Sequence, residues 1–341
     1  MLDSTRLQRG RAELPGEAPT AAAGGARRYV LEQRIGSGAM GVVYRAQDRV
    51  LGRTVAIKTI REELISRGPL YEAYRTRFHR EACICGSLSH PNIVKLYDAG
   101  DTDEEAPFLA MEYVQGASLA GLLRAGRRLT LDQAMWLLAQ LASAIDYAHG
   151  QDVIHRDIKP SNILVGEGEE AKITDFGVAK LLGAEFTRSQ TRFGTPGYMS
   201  PEQVLGTALT GTTDIFSLGV VAFELFSGFT PFPGSDPHSV LYRIVHTEPV
   251  FPPDLKSLGL VPSKWRDVFQ KALAKDPEQR HATASELVSD FVEIFPGSWL
   301  GDLIADQGSR SAPGFSGAPS QETTTLGPAE PVRFPENDTS E

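Results

Sequence analysis

The stretch IGSGAMGVVY, residues 35–44, sets Gly36, Gly38 and Gly41 in the spacing G-x-G-x-x-G. Two unrelated loops use that spacing, one holding a dinucleotide between a strand and a helix, the other covering nucleotide phosphates. A dinucleotide loop opens a helix and is followed about 20 residues later by an acid for the ribose. Here the glycines run into VVY, β-branched and aromatic residues that favour strand. A turn-like stretch and then TVAIK follow, and Lys58 carries the charge for a phosphate, not for a ribose hydroxyl. The loop therefore reads as a hairpin. The spacing alone leaves a purely structural glycine hairpin open, and the rest of the chain decides.

Outward from the hairpin, short strand-like runs dominate the first part: RYVLEQRI, GVVYRAQD, TVAIKTI, IVKLYDAG and PFLAMEYV. One helical segment, from Glu72 to Leu88, interrupts them. After Gly116 the pattern lengthens into helical periods: LDQAMWLLAQLASAIDYAHG, DIFSLGVVAFELFSG, SVLYRIVHT, KWRDVFQKALA and TASELVSDFVEIF. A sheet-rich lobe followed by a larger helical one is expected, with the hinge at Met111 to Gly116. Residues 1–27 and 297–341 are rich in Gly, Pro, Ala, Ser and Thr without apolar periodicity and read as disordered tails.

The 341 residues carry a formal charge of −9, which argues against a nucleic-acid partner; any phosphate must be held by local groups. The start has no apolar h-region, and the apolar run LGVVAFELF from Leu218 is too short for a membrane span and holds Glu224. A cytoplasmic protein is expected. Cys83 and Cys85 face different directions on a helix and read as reduced core thiols.

The motifs Gly36, Gly38, Gly41 and Val43, then Lys58 in VAIK, HRDIKPSN at 155–162, DFG at 175–177 and SPE at 200–202 occur in one order. In that order the chain resembles protein kinases from Tyr29 to Pro296, and the ordered set is far more specific than any member. The hairpin GAMGVVYRAQD followed by LGRTVAIK is similar to that of bacterial Hanks-type (eukaryotic-like) Ser/Thr kinases. The resemblance implies an α+β, bilobal fold over 28–296. Its N-lobe, 28–113, would be a small antiparallel sheet with a helix C, and its C-lobe, 117–296, mainly helical. Many such kinases continue into a transmembrane segment and a sensor, so the chain reads as a soluble member or as a cytosolic fragment of a longer one.

The implied reaction is transfer of the γ-phosphate of ATP to protein Ser or Thr hydroxyls, with Mg²⁺, or Mn²⁺ as the alternative. It rests on positioning and charge neutralisation more than on covalent chemistry. Lys58 would grip the α and β phosphates, with Glu81 extending its amine. Asp157 would orient the hydroxyl and take its proton, although a lone Asp after His-Arg also suits a turn cap. Lys159 would meet the γ-phosphate, and Asn162 and Asp175 would hold the metal. Around the nucleotide the resemblance places Ile35, Gly36, Ser37, Gly38, Gly41, Val43, Ala56 and Leu164, with Met111 as gatekeeper. Glu112 would present its carbonyl and Val114 its N–H to adenine.

Leu96, Cys85, His155, Phe176 and Asp214 fall where the family stacks a spine across both lobes; Cys85 is smaller than usual there, which loosens helix C. Glu202 and Arg280 match a buried structural ion pair. Thr187, Ser189 and Thr191 are candidate phosphosites, with Arg156, Lys180 and Arg77 as the phosphate pocket. Their modification would occur in trans through a transient homodimer. Thr195 stands at the substrate loop, and GTPGYMSPE, residues 194–202, favours protein over small-molecule substrates. The clustered Thr323, Thr324 and Thr325 offer a site to a phosphothreonine-binding partner. A nucleotide-binding pseudokinase acting as a scaffold is the alternative, disfavoured by the presence of Lys58, Glu81, Asp157, Asn162 and Asp175.

Overall fold

The computed structural model describes residues 28–38, 41–60, 78–80, 82–101, 107–176, 196–252 and 262–294. Five antiparallel strands form the first sheet: β1 (Tyr29–Gly38), β2 (Gly41–Asp48), β3 (Arg53–Ile60), β4 (Leu96–Asp101) and β5 (Pro107–Glu112), in the order β1-β2-β3-β5-β4. Their period-two alternation separates two apolar layers. Ala46, Val55, Ile57, Phe108 and Ala110 pack on one face with Tyr29. Ala56, Leu109 and Met111 pack on the other, with Val43 and Leu96 beside them. Phe78 and Ala82 of helix α1, described at 78–80 and 82–86, complete that second layer. Lys58 shares the face of Ala56, two residues away, and is paired across the ladder with Val43. The alternation of TVAIK thus aims an ammonium into the face that carries α1.

The strand expected from Ile93 begins three residues later. Ile93 instead forms a parallel bridge with Ile173, and the Val94 N–H donates to the Ile173 carbonyl at 2.9 Å. This segment is held by a second sheet that periodicity missed: β6 (Gly116–Ser118), β7 (Ile163–Gly166) and β8 (Ala171–Ile173), in the order β6-β7-β8. Strands of three or four residues are too short for an alternation to register. Gly116 belongs to this sheet, paired with Gly166, and the first helix after it begins at Leu119. A Cβ at Gly116 would collide with the Val165 carbonyl, which explains a glycine at the hinge.

Beyond it lie α2 (Leu119–Arg124), α3 (Leu131–His149), α4 (Pro201–Leu205), α5 (Gly211–Ser227), α6 (Pro237–His246), α7 (Pro262–Ala272) and α8 (Ala284–Ile294). Helix α5 is buried on nearly every side, as an all-round apolar sequence requires. Phe223 of α5 meets Trp265 and Phe269 of α7 at ring distances of 5.1 Å each, and Phe269 reaches Phe291 of α8. Helix α3 begins with a capping box, Thr130 with Gln133, which satisfies two of the donors at its start. Among the described residues no helix is long and apolar enough to cross a membrane. The expected tails, 1–27 and 297–341, lie outside the described residues.

The two cysteines divide differently from expectation. Cys85 is partly buried, but Cys83 is exposed, because the face of α1 opposite Ala82 and Cys85 turns to solvent. Cys83 is a surface thiol, not a core one.

Candidate active site

The loop His155–Asn162 is aimed by groups on its flanks. Asp214, at the start of α5 and almost fully buried, accepts from the backbone N–H of His155 at 2.8 Å and of Arg156 at 2.7 Å. His149 adds a third contact to the same carboxylate at 2.9 Å. His155 bonds the Thr174 carbonyl through Nε2 at 2.8 Å, so that nitrogen carries the proton; Nδ1 accepts from the Asp157 N–H at 3.1 Å. The imidazole is thereby fixed as the neutral Nε2–H tautomer, joining the catalytic loop to the residue before Asp175. Arg156 and Asp175 both hold left-handed backbone, φ 69° and 67°. Non-glycine residues keep such conformations only where surroundings over-determine them.

Within this frame Asp157 Oδ2 receives Lys159 Nζ at 2.8 Å and Asn162 Nδ2 at 2.9 Å. The Asn162 amide also donates to the Asp157 carbonyl at 2.8 Å, so its two N–H groups are committed and its oxygen is left as an acceptor. The Thr174 N–H bonds the Asn162 carbonyl at 2.9 Å, linking the two candidate metal-holding segments. Lys58 Nζ lies 2.7 Å from Asp175 Oδ1. Burial pushes the Asp175 carboxyl up, but the Lys58 charge and hydrogen bond, with the Lys159 charge, outweigh it and hold it below the usual carboxylate range. An ionised carboxylate and a neutral amide oxygen are hard donors suited to a divalent cation. Among the described residues no group of three or more His, Cys, Asp or Glu accompanies them.

Val43, Ala56 and Met111 come together in one apolar layer, while Leu164 is half-buried on β7. Ile35 is 44% exposed at the entry to the hairpin. Gly36, Ser37 and Gly41 stand on the β1–β2 ladder, opposite Val43, Val42 and Gly38 respectively. Val114 follows the end of β5, half-buried. Glu112 has a role that sequence reading missed: its carboxylate takes Lys172 Nζ of β8 at 3.0 Å and the Lys95 N–H at 3.2 Å. The hinge is thus strapped to the second sheet. Lys172 sits alone in AKI, and no local pattern announces a partner 60 residues earlier.

A continuous chain of contacts crosses between the lobes. Leu96 and Cys85 line one cavity of about 40 Å³, together with Ala82, Met111, Thr174 and Phe176. The Cys85 thiol donates to the Phe176 carbonyl at 3.1 Å, and Phe176 meets His155 edge-on at 4.5 Å. The small side chain of Cys85 thus borders this cavity and makes a polar tie that a larger apolar side chain would not make.

Glu202 and Arg280 form a bidentate pair, both bonds 2.8 Å. Arg280 also donates to the carbonyls of Ala274, Thr212 and Lys275, which satisfies its five N–H groups. Burial raises the Glu202 carboxyl, but the Arg280 bond and charge and the Thr213 hydroxyl bring it below its ordinary value. On the other side of the same segment, Tyr198 donates to Glu224 at 2.6 Å; burial pushes that carboxyl up against the phenol's opposing pull.

Glu81, Arg77, Lys180, Thr187, Ser189, Thr191 and Thr195 lie outside the residues whose side chains are described, as do Thr323, Thr324 and Thr325. Of the expected phosphate pocket, Arg156 is described, and its Nε is buried without a hydrogen-bond partner among the described residues.

The protein kinase domain family matches residues 29–292. The chain is similar to the serine/threonine-protein kinase PknB of Mycobacterium tuberculosis, 37% identical over 276 residues, covering 79% of this chain and 43% of that one. The same named kinase of Mycobacterium leprae is 37% identical over 275 residues, with the same shares of 79% and 43%. A Bifidobacterium longum protein named "Probable serine/threonine-protein kinase PknB" is 38% identical over 290 residues, covering 82% and 41%. The chain thus spans less than half the length of these relatives. With the family match extending across nearly all of the described fold, the chain belongs to the protein kinase domain family.

Proposed function

We propose that the chain transfers the γ-phosphate of ATP to serine or threonine hydroxyls of protein substrates, with Mg²⁺ as the working metal. The observation that carries this reading is the sharing of Asp157 Oδ2 by Lys159 and Asn162, which leaves Oδ1 for an incoming hydroxyl. In this reading Asp157 orients the hydroxyl in line and takes its proton as the bond to phosphorus forms. Lys159 carries three N–H donors, spends one on Asp157 and turns the others to the transferred phosphoryl oxygens. Lys58 holds the α and β phosphates, and Ala56, Val43 and Met111 supply an apolar wall for the base. The Asn162 amide oxygen and the Asp175 carboxylate would hold the divalent ion, whose charge neutralises the phosphate oxygens.

The Arg156 Nε, buried without a partner among the described residues, supports an anion arriving from the segment 177–195, and a phosphorylated Thr187, Ser189 or Thr191 is the anion we assign to it. Addition in trans, from a second copy, and a phosphothreonine-binding partner at the C-terminal threonines belong to the same reading.

The test is label transfer from γ-labelled ATP to a generic protein, with Asp157→Asn beside the wild type and the products mapped by mass spectrometry. A loss of about 10²- to 10⁴-fold in the variant is expected, with phosphoserine or phosphothreonine in the products, including at positions 177–195. Equal rates for the two proteins overturn the reading, and products carrying phosphotyrosine alone overturn the Ser/Thr assignment.

A further inference from the structure

Arg156 precedes the residue that carries the chemistry, and its backbone is gripped from both sides. Its N–H donates to Asp214 Oδ1 at 2.7 Å, and its carbonyl accepts from Gln203 Nε2 at 2.6 Å. Between these grips the residue is held at φ 69°, a conformation a side chain resists. The carbonyl of Arg156 belongs to the peptide bond whose N–H is that of Asp157. Fixing the plane of that peptide therefore fixes the direction in which Asp157 leaves the main chain.

The two grips differ in origin. Asp214 stands on α5, inside the core. Gln203 is half-buried on α4, and its other amide atom, Oε1, accepts the Ser200 N–H at 2.9 Å while Ser200 Oγ caps the Gln203 N–H. One carboxamide thus joins the chain entering α4, the end of GTPGYMSPE, to the peptide ahead of Asp157.

We infer that Gln203 is a positioning residue for phosphoryl transfer, coupling the segment that enters α4 to the aim of Asp157 through the Arg156 carbonyl. The inference rests on the kinase reading above. The donor is the feature that matters. A capping box needs only an acceptor at this position, and glutamate meets that need as well as glutamine. Glutamine is required only where an N–H must point at the loop. In Gln203→Glu the cap on Ser200 survives, and a carboxylate faces the Arg156 carbonyl in place of a donor.

Gln203→Glu is expected to lower the thermal midpoint by only a few degrees, since the cap survives and one hydrogen bond is lost. It is expected to keep KM for ATP while kcat falls roughly 10- to 100-fold, the scale of a small misplacement of a reacting group. Hydrogen exchange of the peptide spanning 155–162, which needs no activity, is expected to quicken in the variant, with other C-lobe peptides unchanged. Gln203→Met, which removes both arms, should show the same loss of kcat and a larger fall in midpoint. A Gln203→Glu protein with wild-type kcat and unchanged exchange overturns the role of Gln203 while leaving the kinase reading intact. So does a loss of kcat that only tracks a fall in midpoint. Absence of transfer by the wild type, matched by Asp157→Asn, overturns the kinase reading itself.

Discussion

Along the catalytic loop the N–H groups of His155, Arg156, Asp157 and Asn162 all have partners, on α5, on the His155 ring and within the loop itself. At the glycine hairpin the situation is reversed: a Cβ added at Gly38 would meet nothing within 4 Å, and one at Gly36 would reach Val43 only at an ordinary 3.7 Å. Neither glycine has the positive φ that would exclude a side chain. The two regions contribute to one site on different terms. The loop that carries Asp157 is over-determined, whereas the hairpin, which in the proposed reading covers the nucleotide phosphates, keeps space that its own fold does not use. The packing around Gly36 and Gly38 does not require glycine, and in the proposed reading the approaching phosphates do.

Three measurements would break or sharpen that contrast. The largest effect is expected where the rigid side is anchored. Glu202→Ala leaves Arg280, fully buried, without its counter-charge, and breaking such a pair commonly costs about 3–5 kcal/mol. Equilibrium denaturation should show that loss; a change below about 1 kcal/mol would mean that α4 is held by something other than this pair. On the open side, Gly38→Val should leave the unfolding free energy within about 0.5 kcal/mol, because the site is exposed and unstrained. Its KM for ATP should rise about tenfold, equivalent to ~1.4 kcal/mol of lost binding. A variant that unfolds easily but binds ATP normally would reverse the assignment of the hairpin.

The smallest effect is in the acid limb of stability. The folded Glu202 carboxyl lies below its ordinary value, so its stabilisation is complete above the unfolded value of about 4.3. It is lost as pH falls from there through the folded value. Glu202→Gln should therefore flatten the decline below about pH 4.3, by at most about 1.4 kcal/mol per pH unit for one proton. Glu224, raised by burial, works in the opposite sense: as pH rises past the unfolded value the folded state retains a proton longer, and stability falls. An unchanged acid limb in Glu202→Gln would show that other carboxylates set it.

Much of the frame was legible because each piece is local. VAIK alternates, so Lys58 had to share a face with Ala56. The helical runs LDQAMWLLAQLASAIDYAHG and DIFSLGVVAFELFSG fall on α3 and α5. The motif residues of the catalytic loop were placed by their order along the chain. What could not be read are contacts without a pattern at either end: Lys172 on Glu112, Gln203 on the Arg156 carbonyl, and Ile93 bridged to Ile173 instead of extending β4. Cys85 shows the boundary well, since its small size was visible in the sequence and the hydrogen bond that accompanies the gap was not.

By itself the sequence determined the two-part architecture, the hairpin over a lysine-bearing strand, and the set of side chains able to handle a phosphate. These follow from periodicity and from residue chemistry at fixed spacing, which act within a few residues. Only the tertiary structure decided which oxygen of Asp157 is already occupied, which peptide plane aims it, and how the hinge is tied to the second sheet. Those outcomes depend on donors and acceptors brought together from distant parts of the chain, where burial makes an unmet hydrogen bond costly and so selects one arrangement.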